Sequence, residues 1–299
     1  MRWLLTSFAV LSLYFKGSFG EVGFPEQGLK EPEKLINDGF KFPIMVGMPP
    51  LNDTWYNAPL VQDANLPTAF DWREQHPFCV HPVLNQGQCG SCWAFAASEV
   101  LSDRFCIASN GSINVVLSPG ELLACEKLNL GCTMGSLPQW ALSYIKKNGV
   151  VSDACVPYTS GNGKTQKCPR NGQCTNSTAP GNNTRYYVAS YHHCGSLLNP
   201  STHVNEIMKC IVDGGPVDAT FNVYADFESY EDGVYTHKKG SYKGLHSVKV
   251  IGWGHDDASG FDYWIVQNSW GRFWGNLEGY FHIRKGVNEC GIERLMYAA

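Results

Sequence analysis

The cysteines of this 299-residue chain limit its possible folds more than any other feature of the sequence. There are twelve of them, and none lies before residue 79. Their positions are 79, 89, 92, 106, 125, 132, 155, 168, 174, 194, 210 and 290. A set this large predicts a disulfide framework if the protein matures in an oxidising compartment. Spacing alone does not decide which of the cysteines pair.

The N-terminus predicts such a compartment. Arg2 precedes a short apolar run, and Ser18 and Gly20 stand three residues and one residue before a cleavage point. A charged start, an apolar core and a small-residue exit are typical of a secretory signal peptide. We therefore interpret residues 1–20 as a signal peptide. The run is too short to span a membrane, and no later segment offers the roughly 18 apolar residues that a span needs.

Charge and composition narrow the classes of function. The net charge of −4 gives no basic surface, so binding to nucleic acid is not expected. Charged residues make up 17% of the chain and aromatic residues 13%, which is typical of a packed domain and not of a disordered one. The region after residue 65 has 234 residues (299 − 65), enough for one large or two small cores.

The segment Asn85–Ala96 contains the first candidate for catalysis. A glycine-containing turn runs directly into an apolar, helix-favouring stretch that begins at Trp93. Cys92 is therefore expected at a helix N-terminus, where N–H groups and the helix dipole stabilise a thiolate. The side-chain amide of Gln86 can donate to a developing oxyanion. Two simpler interpretations stay open: Cys92 is a structural half-cystine, or Cys89 and Cys92 form a dithiol redox pair.

A base and an orienting amide occur far downstream. His246 leads into an alternating, strand-like segment, and Asn268 ends an apolar strand in the sequence Asn-Ser-Trp-Gly. They follow Cys92 by 154 residues (246 − 92) and 176 residues (268 − 92). Neither a thioredoxin-like redox site nor a zinc ribbon predicts Gly-Trp-Gly followed by Asn-Ser-Trp-Gly. The order Cys, His, Asn with these neighbours favours nucleophilic catalysis.

These segments resemble the papain-like cysteine peptidases and, within them, the cathepsin B-like group. Cys89-Gly-Ser-Cys-Trp matches the active-site signature of the family. Cys155-Val-Pro-Tyr and Cys290-Gly-Ile-Glu resemble further cathepsin B segments. The resemblance implies an α+β, papain-like fold of two lobes with the active-site cleft between them. The helical lobe would cover about residues 80–185, and an antiparallel β-barrel lobe about residues 190–295.

The resemblance also implies how the chain is processed. Leu66-Pro-Thr-Ala-Phe-Asp-Trp-Arg resembles the start of the mature enzymes of the family. Residues 21–65 would therefore be a propeptide that is removed on activation, and residues 66–299 the mature peptidase domain. A short propeptide without a long charged helix resembles cathepsin B. The expected destination is a lysosome-like vesicle or vacuole, or the outside of the cell.

The chemistry implied by the resemblance is hydrolysis of peptide bonds. Cys92 would be the nucleophile, His246 the acid and base, and Asn268 the group that orients the imidazole. Gln86 and the Cys92 backbone N–H would bind the oxyanion. No metal or organic cofactor is required. Peptides and proteins are the expected substrates, cystatin-like proteins are candidate inhibitors, and a monomer is expected. A dithiol oxidoreductase and an inactive, peptidase-like binding protein are the alternatives from other classes.

The resemblance assigns six residues to substrate binding. They are Gly90, Gly135, Pro138, Ser247, Trp270 and Leu295. Gly135 lies in a segment with one residue more than the Gly-Cys-Asn-Gly-Gly-x-Pro of the family, so its register there is ambiguous. Leu295 stands where cathepsin B has a glutamate that accepts arginine at P2, the second residue before the scissile bond. An apolar or aromatic P2 residue is therefore expected.

Disulfides and one loop complete the comparison with cathepsin B. Four pairs are implied by the resemblance, and Cys194–Cys210 follows by elimination. The four are Cys79–Cys106, Cys89–Cys132, Cys125–Cys168 and Cys155–Cys174. Cys290 is then left as a buried thiol.

Only nine residues separate Tyr158 from Cys168, and none is histidine, whereas cathepsin B holds a substrate carboxylate with a histidine pair there. We interpret His192 and His193 as structural or solvated and expect an open cleft and endopeptidase activity.

Local patterns predict surface sites, helices and strands. N-glycosylation sequons occur at Asn52, Asn110, Asn176 and Asn182. Ser118 and Glu121 form a capping-box pattern at the start of a helix that ends at Cys125. Further helices are predicted at 138–148 and 203–213. Strands are predicted at 217–224, 246–253, 261–267 and 279–284.

Overall fold

A computed structural model describes residues 44–51, 63–170, 173–176, 178, 183–195 and 200–299. The predicted signal peptide, most of the predicted propeptide, Asn52 and Asn182 lie outside these residues. Asn110 and Asn176 lie within them, and the side chain of Asn110 is exposed. Within the described ranges, none of the helices combines the length and the apolar character that crossing a bilayer requires.

Most helices lie in the first half of the described chain. They are α1 (Trp72–Gln75), α2 (Cys92–Ala108), α3 (Pro119–Cys125), α4 (Gly131–Met134), α5 (Pro138–Asn148) and α6 (Pro200–Gly214). The predicted helix at 138–148 is confirmed, and the one predicted at 203–213 is longer at both ends. The capping box predicted at the start of α3 is confirmed in its first half only. Ser118 Oγ accepts from the Glu121 N–H at 2.8 Å, but the Glu121 carboxylate turns away and accepts from the Val151 N–H.

The strands form one sheet. They are β1 (Phe70–Asp71), β2 (His192–His193), β3 (Val217–Tyr224), β4 (Val234–Tyr235), β5 (Tyr242–Asp256), β6 (Phe261–Gln267), β7 (Tyr280–Arg284) and β8 (Leu295–Ala298). Their order is β2-β8-β3-β5-β6-β7-β4, with β1 paired to β5. The expected antiparallel barrel is therefore wrong in two respects. The path is open, because the two-residue strands at its ends do not pair with each other, and β4 runs parallel to β7.

Strand β5 connects the parts of this sheet. Its first half pairs with β3 and its second half with β6, and the pairing register shifts between Val250 and Gly252. Gly252 is needed at that shift, because a Cβ on it would lie 2.0 Å from the Phe70 carbonyl oxygen. From Tyr242 to Val248 the edge that β6 covers further on carries no β6 partner. Met45 pairs with this open edge at Leu245, next to His246.

Two buried apolar clusters agree with a two-lobed, α+β, papain-like fold. One surrounds the sheet and α6 and includes Phe221, Trp253 and Trp264. The other includes Trp93 and Leu142 and lies among α2, α3 and α5. The disulfides are the five predicted pairs. They join Cys79–Cys106, Cys89–Cys132, Cys125–Cys168, Cys155–Cys174 and Cys194–Cys210.

Charged side chains are buried where α2 meets the sheet. Lys249 Nζ of β5 lies 2.6 Å from Asp103 Oδ2 of α2, and both side chains are fully buried. His81 adds a contact of 2.7 Å from Nδ1 to Asp103 Oδ1. One turn earlier on α2, burial raises the pKa of Glu99 to about 8, and nearby Lys249 opposes that rise. The interface between the lobes therefore contains a fully desolvated ion pair.

Replacing only one partner of that pair should destabilise the fold strongly. Lys249→Met leaves the Asp103 carboxylate buried without its ammonium, so the free energy of unfolding should fall by about 3–5 kcal/mol. Urea denaturation with the disulfides intact measures the change. Lys209→Met is the control, because Lys209 pairs with Asp63 at the surface with 51% of its side chain exposed, and its loss should matter little. Equal effects of the two substitutions would contradict this account.

Candidate active site

Cys92 is the first residue of α2, as its sequence neighbours predict. The turn before it is held by the Cys89–Cys132 disulfide and by the Gly90 N–H, which donates to the Cys132 carbonyl at 2.8 Å. A Cβ on Gly90 would lie 2.8 Å from that same oxygen, so glycine is required. Because Cys89 is bonded to Cys132, no Cys89–Cys92 redox pair forms in this structure.

The start of α2 has no side-chain cap. The hydroxyl of Ser91, the N-cap residue, instead lies 2.8 Å from the Tyr158 hydroxyl. Backbone N–H groups of Ser247, Trp93 and Cys92 itself face the sulfur and lower its pKa. Complete burial has the larger, opposite effect and raises the pKa of the Cys92 thiol to about 12. Burial therefore favours the neutral thiol at Cys92.

His246 belongs to β5 and is also fully buried. Its Nε2 lies 2.7 Å from Asn268 Oδ1. An amide oxygen only accepts, so Nε2 carries the proton. Within the described residues Nδ1 has no hydrogen-bond partner, which leaves it as a base. Burial lowers the pKa of His246 to about 4, and the bond to Asn268 opposes the fall. The Trp270 ring lies over the imidazole at 4.7 Å and excludes water from it.

Gln86 is held beside the turn that precedes Cys92. Its backbone N–H donates to the Ser269 carbonyl at 2.9 Å, and its Oε1 accepts from Ser269 Oγ at 2.6 Å. Its Nε2 donates to the Cys89 carbonyl at 2.8 Å. Tyr158 Oη donates to the Gln86 carbonyl at 2.8 Å. These bonds fix which end of the amide is the donor, so the N–H groups face the turn before Cys92.

Two of these residues were not predicted from the sequence. Ser269 orients the Gln86 amide, and Tyr158 joins Gln86 to Ser91. Ser269 could have been found, since it lies in the Asn-Ser-Trp-Gly motif next to Asn268. Tyr158 ends the Cys155-Val-Pro-Tyr segment, but its contact with Gln86 was not predictable, because only the folded chain brings the two residues together across 72 positions.

The six predicted substrate-binding residues fall into separate groups. Gly90 and Gly135 meet, because a Cβ on Gly135 would lie 2.7 Å from the Gly90 carbonyl oxygen. Gly135 also has a φ of 69°, which favours glycine. Ser247 and Leu295 lie on neighbouring parts of the sheet, each opposite the same residue of β3. Two of the six lie apart from these pairs. They are Pro138, which starts α5, and Trp270, which packs on His246.

Residues 44–51 cross this region. Met45 pairs with Leu245 on the open edge of β5, through backbone hydrogen bonds of 2.8 and 3.0 Å. Its side chain is fully buried in the apolar cluster that contains Cys92 and Trp93. Six residues on, the Leu51 N–H donates to Asn222 Oδ1 at 2.7 Å. The segment thus makes an isolated antiparallel bridge beside the residue that precedes His246 and then reaches β3.

The potential metal ligands do not lie at this site. Of the described residues, one group of three has ligand atoms within 4.8 Å of one another, namely His192, Cys194 and Cys210. Its two sulfurs are bonded to each other, so only the imidazole remains as a donor. Both nitrogens of the neighbouring His193 lie against backbone carbonyl oxygens, at 3.1 and 2.7 Å. This agrees with a structural role for the histidine pair.

Comparisons with known proteins agree with the geometry. The family described as papain family cysteine protease matches residues 66–299. The chain is 39% identical over 254 residues to "Cathepsin B-like cysteine proteinase 4" of Caenorhabditis elegans, covering 78% of this chain and 75% of that protein. It is 38% identical to "Cathepsin B-like CP3" of Giardia intestinalis, covering 78% and 74%. Its structure resembles "proCathepsin B S9 from Trypanosoma congolense", with a TM-score of 0.69 and 31% identity over 83% and 84% of the two chains.

Ser269 should act as a positioning residue for Gln86. In the chain cleaved after residue 65, Ser269→Ala removes a bond of 2.6 Å to the amide, and kcat/KM for a peptide should fall about 5- to 10-fold, the equivalent of one hydrogen bond. The rate at which iodoacetamide alkylates Cys92 should change less than 2-fold, because alkylation develops no oxyanion. Equal losses in both measurements would show that the substitution disturbs the sulfur and not the amide.

Proposed function

This chain belongs to the papain family of cysteine proteases, and from that premise we propose that it is a cathepsin B-like endopeptidase with Cys92 as its nucleophile. One observation carries the proposal. Cys92 lies at the N-terminus of α2 against the backbone of Ser247, the residue after His246, while Asn268 holds the far nitrogen of that imidazole. Sulfur, base and orienting amide therefore converge from two lobes.

The proposed mechanism follows from this arrangement. When water and substrate enter the cleft, the proton of Cys92 moves to Nδ1 of His246, and the thiolate attacks the scissile carbonyl carbon. The oxyanion is bound by Gln86 Nε2 and the Cys92 N–H. His246 then protonates the leaving amine and later takes a proton from the water that releases the acyl group. Asn268 is neutral and orients the ring without compensating its charge.

Endopeptidase activity is supported by the segment between Tyr158 and Cys168. It contains no histidine that could bind the C-terminal carboxylate of a substrate. Its backbone packs on the turn before the nucleophile, where Gln88 N–H donates to the Gly161 carbonyl at 2.7 Å. A Cβ on Gly87 would lie 2.4 Å from that carbonyl oxygen, so the fit is close. We therefore propose that this segment leaves the end of the cleft open.

We also propose that the protein is made as a zymogen, with residues 1–20 as signal peptide and 21–65 as propeptide. Residues 44–51 support this, because they occupy the open edge of β5 and bury the side chain of Met45 beside Cys92. Five disulfides are consistent with a secretory route, which would end in a lysosome-like vesicle, a vacuole or the medium. Glycans at the sequons, protein substrates, cystatin-like inhibitors and a monomeric state remain expectations of the same proposal.

Cys92 and Cys290 provide a matched pair of variants, since both are buried cysteines outside the disulfides. Cys92→Ala should lower the cleavage rate of a peptide blocked at both termini by at least about 10³-fold, because it removes the nucleophile. Cys290→Ala should retain activity within a few-fold. An internally quenched peptide measures cleavage, and mass mapping after an epoxysuccinyl inhibitor should place the label on Cys92.

Other outcomes identify other functions. Activity that survives Cys92→Ala would overturn the proposed nucleophile. Reduction of insulin that depends on both Cys89 and Cys92 would support a dithiol oxidoreductase. Binding of peptides without turnover would support an inactive relative. Release of C-terminal dipeptides as fast as internal cleavage would contradict the open-cleft interpretation.

Residues 44–51 should control the reactivity of the Cys92 thiol. Burial raises the pKa of Cys92 to about 12 and lowers that of His246 to about 4, so both groups are neutral between pH 5 and 8 in the full-length chain. Removing residues 1–65 admits water and relaxes both shifts toward an ion pair. Alkylation of Cys92 by iodoacetamide at pH 6 should then be at least about 10-fold faster than in the uncleaved chain.

Two point variants test the segment without cleavage. Met45→Asp places a charge at a fully buried position and should release the segment, so that the uncleaved chain reacts nearly as fast as the cleaved one. Val46→Asp is the control, because Val46 is 43% exposed and its substitution should leave alkylation slow. Equal rates in the cleaved and uncleaved wild-type chains would show that the segment does not protect the thiol.

A further inference from the structure

Strands β3 and β5 present matched layers of side chains on one face. Successive side chains along a strand point to opposite faces of the sheet. Residues directly opposite each other on neighbouring strands share a face. The layers, from the cleft inward, are Leu245 with Asn222, Ser247 with Thr220, and Lys249 with Asp218. His246 and Phe221 lie on the opposite face, where their rings meet at 5.9 Å.

The middle layer is a pair of hydroxyl groups. Thr220 Oγ1 lies 2.8 Å from Ser247 Oγ, and both side chains are fully buried. Strand β8 continues the layer, because Leu295 lies opposite Thr220 on its other side. Ser247 and Leu295 were both predicted to bind substrate, and Thr220 lies directly between them. It was missed because nothing in the sequence sets the register of three distant strands.

Residues 44–51 cover the entrance to this layer. Met45 pairs with Leu245 in the layer above, and its side chain extends toward Gly135, since a Cβ there would lie 2.7 Å from Met45 Cγ. Leu51 binds Asn222 in the same outer layer, through both its N–H and its carbonyl. The space between the helical lobe and this face is therefore filled by a peptide segment and would be open to a substrate side chain after cleavage.

The hydroxyl pair has bonding capacity to spare. Two hydroxyls carry two donor hydrogens, and their mutual bond uses one of them. Within the described residues neither oxygen has another hydrogen-bond partner. A ligand hydroxyl that reached the pair could both donate and accept, whereas a hydrocarbon tip would leave a buried donor unsatisfied. The layer therefore distinguishes between side chains of one shape that differ in a terminal hydroxyl.

The surroundings favour a neutral, largely apolar side chain. Leu295 provides an apolar surface beside the pair. Beneath it, burial raises the pKa of the Asp218 carboxyl well above its usual range, which favours its neutral form. The Lys249 ammonium in the same layer is held by Asp103. An arginine at P2 would meet a fully buried carboxyl whose surroundings disfavour charge, whereas an aromatic ring with a polar tip fits both the apolar wall and the hydroxyls.

We propose, on the basis of the peptidase function proposed above, that the Thr220–Ser247 hydroxyl pair lies in the P2-binding pocket and selects tyrosine over phenylalanine. Thr220 is thus a specificity-determining residue. The phenol hydroxyl adds a third member to the hydrogen-bonded pair, and the ring packs against Leu295. The selection acts on kcat/KM, because the phenol bond is retained through acylation.

Matched substrates and two variants test the inference. Mature enzyme, obtained by processing of the secreted full-length chain and titrated at Cys92, is compared on peptides that differ only in tyrosine, phenylalanine or arginine at P2. The ratio of kcat/KM for tyrosine to that for phenylalanine should be about 3- to 10-fold, the range of one net hydrogen bond. In Thr220→Val, which keeps the shape and removes the hydroxyl, the ratio should fall to about 1. In Thr220→Ser it should persist.

The outcomes separate this inference from the function it depends on. Cleavage of the phenylalanine peptide with Cys92 titrated establishes the peptidase whatever the ratio is. A wild-type ratio of 1 or less, a ratio that persists in Thr220→Val, or a loss in Thr220→Ser equal to that in Thr220→Val would overturn the hydroxyl selection. Arginine cleaved faster than both aromatic substrates would also overturn it. Absence of cleavage of every peptide, with Cys92 unlabelled, would overturn the peptidase function itself.

Discussion

The contact between helix α2 and strand β5 is the interaction on which the active site depends. The helix begins at Cys92 and the strand contains His246, so the candidate nucleophile and the candidate base come from different lobes and distant parts of the chain. Further along the same two elements, Asp103 and Lys249 form a fully buried ion pair. A packing of the lobes that separated the two groups would leave each charge buried alone, so the pair disfavours such displaced alignments.

Burial moves both titratable groups of the candidate site toward their uncharged forms. Desolvation disfavours the charged form of both groups, and it therefore moves the pKa of Cys92 and that of His246 in opposite directions, toward a neutral pair. The backbone N–H groups at the start of the helix lower the pKa of Cys92, and the Asn268 bond raises that of His246, but both effects are weaker than burial. Control of the chemistry thus lies with whatever covers the cleft, and Met45 covers it from the open edge of β5.

The sequence predicted the parts of this protein that local chemistry determines. Pro138 and Gly149 bound their helix, and the motifs around Cys92 and Asn268 carried the candidate site. The open sheet was not predicted, because closure depends on whether short edge strands pair with each other. The role of Thr220 was not predicted for a related reason: it exists only in a register of three strands. The pairing of distant strands produces no periodic pattern within any single segment of the sequence.

The alternation of β5 separates chemistry from recognition within two consecutive residues. His246 turns toward Trp270 and Phe221, while Ser247 turns toward Thr220 on the other face. A change in the hydroxyl layer therefore alters what the cleft accepts without repacking the rings that hold the imidazole. The two roles remain linked only through the backbone, since the Ser247 N–H faces the sulfur. Side-chain variation at Thr220 of β3 is the less coupled route to a new specificity, because it leaves the backbone N–H of Ser247 in place.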